Sequence, residues 1–414
     1  MEKITARTND KIKYTISITQ NSQSIANNTS NVTVSVRVYR TNTGYTTYGT
    51  GTVYCTINGT QYTEAITSSD KITSSGIVLF SKTLNIAHNA DGTKTLSTSA
   101  RITHDQFSSS SQSYPQTLTT IPRATTPTLS ASSVNMGSSV TINMARASSS
   151  FDHTLTYKFG SATGTIGSDL GTSKAWEVPL SLASQIPNGT SGTCTITCKT
   201  YNGSTLIGTK TVSLTLKVPS SVVPSISALT VSEGTSGLSA QFGGYVQNKS
   251  KAKVAITATG AYSSTIKTYK TTVAGKSYSG NSFTSSVLTG SGSVTISTTV
   301  TDSRGRTASK STTISVQAYT APKITKFTSA RTDAGVSVTM NFSITSLGEK
   351  NTKSYSVDYK LKTSDTWTVL TSGSVYSYNA TQTFANTFST ESSYDLRLVV
   401  KDYFGTASQA TAYA

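Results

Sequence analysis

Three cysteines, three histidines and two tryptophans are all that 414 residues supply of the side chains most used for redox chemistry, metal binding and stacking. Cys55 stands alone. Cys194 and Cys198, in "GTCTITCKTY", alternate as on a strand, which sets them on one face about 13 Å apart at ~3.3 Å per residue. A disulfide needs Cα atoms within ~7 Å, so both read as small buried residues. His88, His104 and His153 are remote from one another and from the cysteines, so the spacings of zinc sites are missing. No metal and no cofactor is expected.

Charge is scarce as well. Only 13% of residues are charged, too few for a coiled coil, and hydroxyl residues and glycine take their place. No run of 18 apolar residues occurs, so no membrane-spanning helix is expected, and "MEKITARTNDKIKY" lacks the apolar core of a signal peptide. The expectation is a chain made in a cytosol and not exported by the standard route. The carboxylates are too scattered to suggest a glycosidase pair. His153 follows Asp152, yet no Gly-x-Ser-x-Gly elbow accompanies it, and "GTGTVY" and "GSGSVT" lack the next glycine and helix of a nucleotide loop. The chain reads as a non-enzyme, with no catalytic residue to nominate.

What is present is β-forming: threonine, valine and isoleucine throughout, with 21 tyrosines. A disordered, hydroxyl-rich stalk would lack these regular apolar residues. "VTVSVRV" alternates cleanly, and Asn58-Gly59 between two alternating runs predicts a hairpin, because both residues tolerate the positive φ of a type I′ turn. Asp91-Gly92 predicts a second hairpin by the same logic. One short helical face is offered by Leu180, Leu182, Ala183 and Ile186. The fold class is therefore all-β.

A repeat sets the organisation. Pro127 opens "PTLSASSV", Pro224 opens "PSISALTV" and Pro322 opens "PKITKFTS", spaced 97 and 98 residues apart. Each is placed where a first strand would begin, with no ladder donor to lose. "TDSRGRTAS" and "KDYFGTAS" share an Asp-x-x-Gly turn in which Asp302 and Asp402 would accept backbone hydrogen bonds and Gly305 and Gly405 would supply positive φ. The expected domains are an N-terminal jelly-roll-like sandwich at 1–122 and three immunoglobulin- or fibronectin-like sandwiches at 123–219, 220–319 and 320–414. Short proline-stiffened connections, such as "IPRATT", make this a modular rod, with Arg123 a solvated hinge charge.

Two features suggest binding. Tyr39, Tyr45, Tyr48 and Tyr62, set among Thr, Asn and Gly, offer flat faces beside small polar groups, a mixture suited to carbohydrate or another receptor surface. Strand tyrosines stacked across a sheet are the plainer reading of the same residues. The net charge of +17 points to an anionic partner such as a Gram-positive wall polysaccharide or teichoic acid. No basic cluster, helix-turn-helix or RNA-binding aromatic pattern is present, so nucleic acid is not expected.

A family resemblance is carried by "TLTTIPRATTPTLSASSVNMGSSVTINMARASSSFDHTLTYKFG" and "GTIGSDLGTSKAWEVPLSLASQIPNGTSGTCTITCKTYNGSTLIGTK", together with "VYRTNTGYTTYGTGTVYCTINGT" and "IAHNADGTKT". The chain resembles minor structural, tail-associated proteins of siphophages that infect streptococci and related Gram-positive bacteria, strongly over its first half. The resemblance implies a virion component of the tail tip or baseplate, assembled in the host cytoplasm with other tail proteins and taking part in host adsorption. It brings no catalytic or binding residues. Fibrous tail proteins are often trimers, but nothing in this sequence demands a homo-oligomer. The alternatives are a bacterial surface adhesin and a tail-associated wall hydrolase.

Overall fold

The structure, a computed structural model, describes residues 3–7, 11–41, 44, 47–333, 335–385 and 388–413. The chain is all-β, a tandem series of sandwiches. It divides into two compact units, Met1–Ile186 with Ser191–Val218 and Pro187–Thr190 with Pro219–Ala414.

In the first unit, Lys3–Arg7, Ile12–Ser24, Thr29–Arg40 and Ile77–Ala87 form an antiparallel sheet in that order. A second sheet runs Gln112–Ser113, Thr98–His104, Gly51–Ile57, Thr60–Ile66. Alternation builds the core between them: Ile12, Tyr14, Ile16 and Ile18 from one strand meet Val32, Val34, Val36 and Val38 from the next, all buried. Each such side chain removed from water contributes roughly 1.5–3 kcal/mol. The Tyr14 hydroxyl donates to the Ala100 carbonyl at 2.8 Å, so even the polar atom of this core has a partner.

Asn58 and Gly59, at φ 50° and 87°, close the predicted hairpin between Gly51–Ile57 and Thr60–Ile66. Asp91-Gly92 does not close a hairpin. The chain leaves Ile77–Ala87 in one sheet and enters Thr98–His104 in the other, so its flanking strands never pair. Instead the turn is held from outside: the Gly92 carbonyl accepts from Ile121 N–H at 2.9 Å and from His88 Nδ1 at 2.7 Å. A Cβ at Gly92 would collide with the Ile121 carbonyl.

The remaining sandwiches repeat one plan. A three-stranded sheet faces a larger one: Thr128–Leu129, Ser139–Asn143 and Ser173–Glu177 first, then Ser225–Glu233, Lys251–Thr259 and Ser282–Val287, then Lys323–Thr332, Gly335–Ser343 and Ser377–Ala385. The first strand of each begins one residue after Pro127, Pro224 or Pro322. The facing sheets are built on the long hairpins Ser191–Asn202/Thr205–Lys217, Gly292–Asp302/Thr307–Gln317 and Tyr394–Asp402/Thr406–Tyr413. A three-stranded sheet against a four- or five-stranded one is the immunoglobulin and fibronectin pattern.

Among the described residues, helix is confined to two short pieces. Leu180–Gln185 is a 3₁₀ turn that buries Leu182 and Ala183. Leu238–Phe242 is a single α turn whose Leu238 and Phe242 are buried, bounded by Gly237 and Gly243 at positive φ.

Candidate functional site

Of the tyrosines expected to bind, the three that are described do not share one face. Tyr39 stands on the outer side of Thr29–Arg40, out of register with the buried valines, opposite Lys13. Tyr48 lies between strands with its side chain largely exposed and its N–H held by Gln106 Oε1 at 2.7 Å. Tyr62 turns inward on Thr60–Ile66 and packs against the core. Tyr45 lies outside the described residues. Tyr54, in the same tyrosine-rich stretch, carries the Arg101 guanidinium 3.7 Å from its ring centre.

Arg123 is not a solvated hinge charge. Its guanidinium donates to the Ile25 carbonyl at 2.7 Å and to the Ile207 carbonyl at 3.2 Å, each far away in sequence. Next to it, Thr125 N–H donates to Thr200 Oγ1 at 3.0 Å, and Thr125 Oγ1 lies 2.8 Å from Nε2 of the fully buried His153. His153 Nδ1 is 2.8 Å from the Gly171 carbonyl, so it donates there. His88 repeats the arrangement with the Gly92 carbonyl and Ser30 Oγ. Both histidines are clamps between backbone segments rather than bases facing a cleft.

The two Asp-x-x-Gly turns work as expected, with one difference. Asp302 Oδ1 accepts from Arg304 and Arg306 N–H, and Asp402 Oδ1 from Phe404 and Gly405 N–H, all at 2.8 to 2.9 Å. Gly305 has φ 77°, whereas Gly405 does not adopt positive φ. The second turn is a residue shorter: Asp402 N–H bonds the Gly405 carbonyl, where Asp302 N–H reaches on to Arg306. Asp402 Oδ2 then accepts from Tyr319 Oη and Asn351 Nδ2, both at 3.1 Å. Around it Leu238, Phe242, Val246, Tyr319 and Leu347 make a separate buried cluster joined by Phe404. Burial, and then the Asp402 charge and hydrogen bond, push the Tyr319 phenol far above its ordinary range.

Among the described residues, no group of three or more His, Cys, Asp or Glu side chains is placed to hold a metal ion. All three cysteines are free and buried, and burial raises their thiols, Cys55 to about 12 and Cys194 and Cys198 to about 11. Among the described residues, no helix is long and apolar enough to cross a membrane.

The feature that stands out is electrostatic and is spread over both sheets of one sandwich. Residues 221–320 contain seven lysines and two arginines against two acids, Glu233 and Asp302. Both acids are occupied by internal donors: Glu233 takes Thr235 N–H at 3.0 Å, and the buried Asp302 takes the turn amides and the Ser264 hydroxyl. The arginines are occupied too, Arg304 on the Ala261 and Tyr262 carbonyls and Arg306 on that of Pro219. Lysine provides the outward charge. Lys251 and Lys253 alternate with the buried Ala252 and Val254 on Lys251–Thr259, and Lys267, Lys270 and Lys276 are exposed on Ile266–Val273 and Lys276–Ser279. Between such charges the outer faces carry hydroxyl ladders, as in Thr299 to Ser309 at 2.7 Å. Elsewhere Ser17 to Ser35, Thr33 to Thr83 and Thr339 to Thr381 repeat the device, each at 2.8 Å.

Residues 6–413 match the family described as "Siphovirus protein of unknown function" (DUF859), and the chain belongs to that family. No curated protein matches it. Among solved structures it is similar to a tetra-tandem repeat from the extending region of a large adhesion protein, at 14% identity and TM-score 0.31, covering 96% of this chain and 99% of that one. A Ca2+-stabilised adhesin that helps an Antarctic bacterium reach out and bind ice gives 15% identity and TM-score 0.31, covering 96% and 98%. Fibronectin domains of chicken CNTN1 give 12% and 0.23, covering 73% and 97%.

Proposed function

We propose that the chain is a non-catalytic structural protein of the siphovirus tail tip or baseplate, which helps hold the virion to the host cell surface. It is built as four domains, 1–122, 123–219, 220–319 and 320–414, and assembles with other tail proteins in the host cytoplasm. The observation that carries the adhesive part is the lysine excess of residues 221–320, where seven lysines and two arginines face only two carboxylates, Glu233 and the buried Asp302. Lysine fits a polyanion as a flexible point charge, without the fixed geometry an arginine fork imposes. The complementary surface is an anionic Gram-positive wall, its polysaccharide or teichoic acid. Exposed charges are screened beyond ~8 Å at physiological ionic strength, so the attraction is strong only near contact and falls with salt.

The test is adhesion of the labelled chain to host cells across ionic strength. Binding at about 20 mM salt that is largely lost by about 300 mM is expected, with little retention on unrelated cells. No binding at low salt, or equal binding to unrelated cells, leaves a structural role alone. Immunogold labelling of virions is expected to decorate the tail end; label on the capsid would overturn the assignment to the tail.

A further inference from the structure

We propose that the outer face of the last sandwich holds a saccharide subsite centred on Trp367 and Asp358; this names a ligand class for the adhesive reading above and rests on it. The two tryptophans have different surroundings. Trp176 is buried and stacks on Tyr157 at 5.1 Å between ring centres. Trp367 is part-exposed, stands just before the edge strand Thr368–Gly373, and takes no part in the hydrophobic core of its sandwich.

Strand register assembles polar groups around it. Tyr359 pairs with Thr368, so Trp367 comes abreast of Lys360, whose own partner on the other side is Asp395. One step along, Asp358 lies between Val369 and Arg397. The Arg397 guanidinium lies 4.2 Å from the Trp367 ring centre, and its Nε donates to Asp358 Oδ2 at 2.8 Å. Lys360 Nζ stands 3.7 Å from Asp365 and 3.9 Å from Asp395.

The independent sign of a ligand is Asp358 itself. The residue is 5% exposed, yet Oδ1 has no hydrogen-bond partner. A buried carboxylate oxygen left this way is costly, and the group that satisfies it must bring a donor hydrogen. The exposed Val369 is the partner of Asp358 in register, and the guanidinium held on Oδ2, with donors to spare, lies against the Trp367 indole. A pyranose ring supplies the matching set: a C–H face for the indole, one hydroxyl for Asp358 Oδ1, and further oxygens for Arg397. The three acids and two cations nearly cancel, so this place suits a neutral sugar, where the lysine surface suits a polyanion. Oδ1 is itself buried, so the sugar reaches it as the Arg397 guanidinium on the neighbouring Oδ2, about one-third exposed, swings aside.

In the full chain with Trp176→Phe, Trp367 is the sole indole, and its emission is titrated with neutral polysaccharide purified from a Gram-positive cell wall at about 0.5 M salt, where surface Coulomb attraction is screened. A saturable emission change is expected, about tenfold weaker in Asp358→Asn, with Trp367→Ala losing polysaccharide retention while Trp367→Phe retains part of it. Unchanged emission, or an Asp358→Asn variant as tight as its parent, overturns the subsite. A chain that adheres to cells at low salt but gives no Trp367 response sinks this inference and leaves the adhesive reading standing. A chain that does neither sinks both.

Discussion

Arg123 shows what a single side chain does in the first unit and why the sequence hid it. Its two acceptors, the Ile25 and Ile207 carbonyls, stand 98 and 84 residues away, so no local pattern announces them. Read in "IPRATT", a lone arginine between prolines resembles a solvated charge; folded, it satisfies two backbone carbonyls at once. Arg123→Ala is expected to cost roughly 1.5–3 kcal/mol, because charged hydrogen bonds are lost and a part-buried carbonyl is left without its donor. Arg123→Lys is expected to recover only part, since one ammonium cannot reproduce the fork. The urea midpoint of the variants relative to the parent checks this, and an unchanged midpoint for Arg123→Ala would show the contacts to be idle. The cysteines were legible for the opposite reason: strand alternation alone predicts which face they occupy, and Cys194 and Cys198 are both fully buried.

At the scale of elements, strands were legible wherever one face is buried and the other wet, because the period of two is written in the residues. Turns were legible where their own residues decide them, as at Asn58-Gly59. They were not where a distant segment decides, as at Gly92, whose carbonyl is held by Ile121 and His88. The helical turn Leu238–Phe242 escaped because five residues give too little period to read; its purpose is to deliver Leu238 and Phe242 to the cluster around Tyr319. That cluster predicts a pH response. The Tyr319 phenol is raised above its ordinary value by burial and then by Asp402, while in the unfolded chain it ionises near ~10. Above that pH the unfolded state gives up the proton and the folded state keeps it, so this contribution is complete below about pH 10 and is lost as the pH rises further. Tyr319→Phe also loses the bond to Asp402. The variant is expected to be less stable than the parent at pH 8, with the gap narrowing toward pH 11. Denaturation midpoints across that range test it; parallel curves would show that Tyr319 ionisation is not coupled to folding.

At the scale of the molecule, net charge was legible from composition, but its meaning depends on which charges the fold consumes. Residues 321–414 hold nine basic residues against seven acids, and there Arg397 and Lys360 are already paired with carboxylates. Residues 221–320 hold as many basic residues against only two acids, so the same number of positive charges leaves a larger net field there. If placement governs adhesion, reversing Lys251, Lys253 and Lys270 to glutamate should weaken low-salt binding to host cells roughly tenfold or more. Reversing the exposed Lys323, Lys326 and Lys362 changes the total charge by the same amount and should weaken it only about twofold. The difference should vanish at about 300 mM salt, where screening shortens the reach of both surfaces. Cell-binding isotherms of the two triple variants, each with a circular dichroism spectrum matching the parent's, decide the matter. Equal losses would mean that the cell surface senses the total charge of the chain, and that the lysines of residues 221–320 have no special part in holding it.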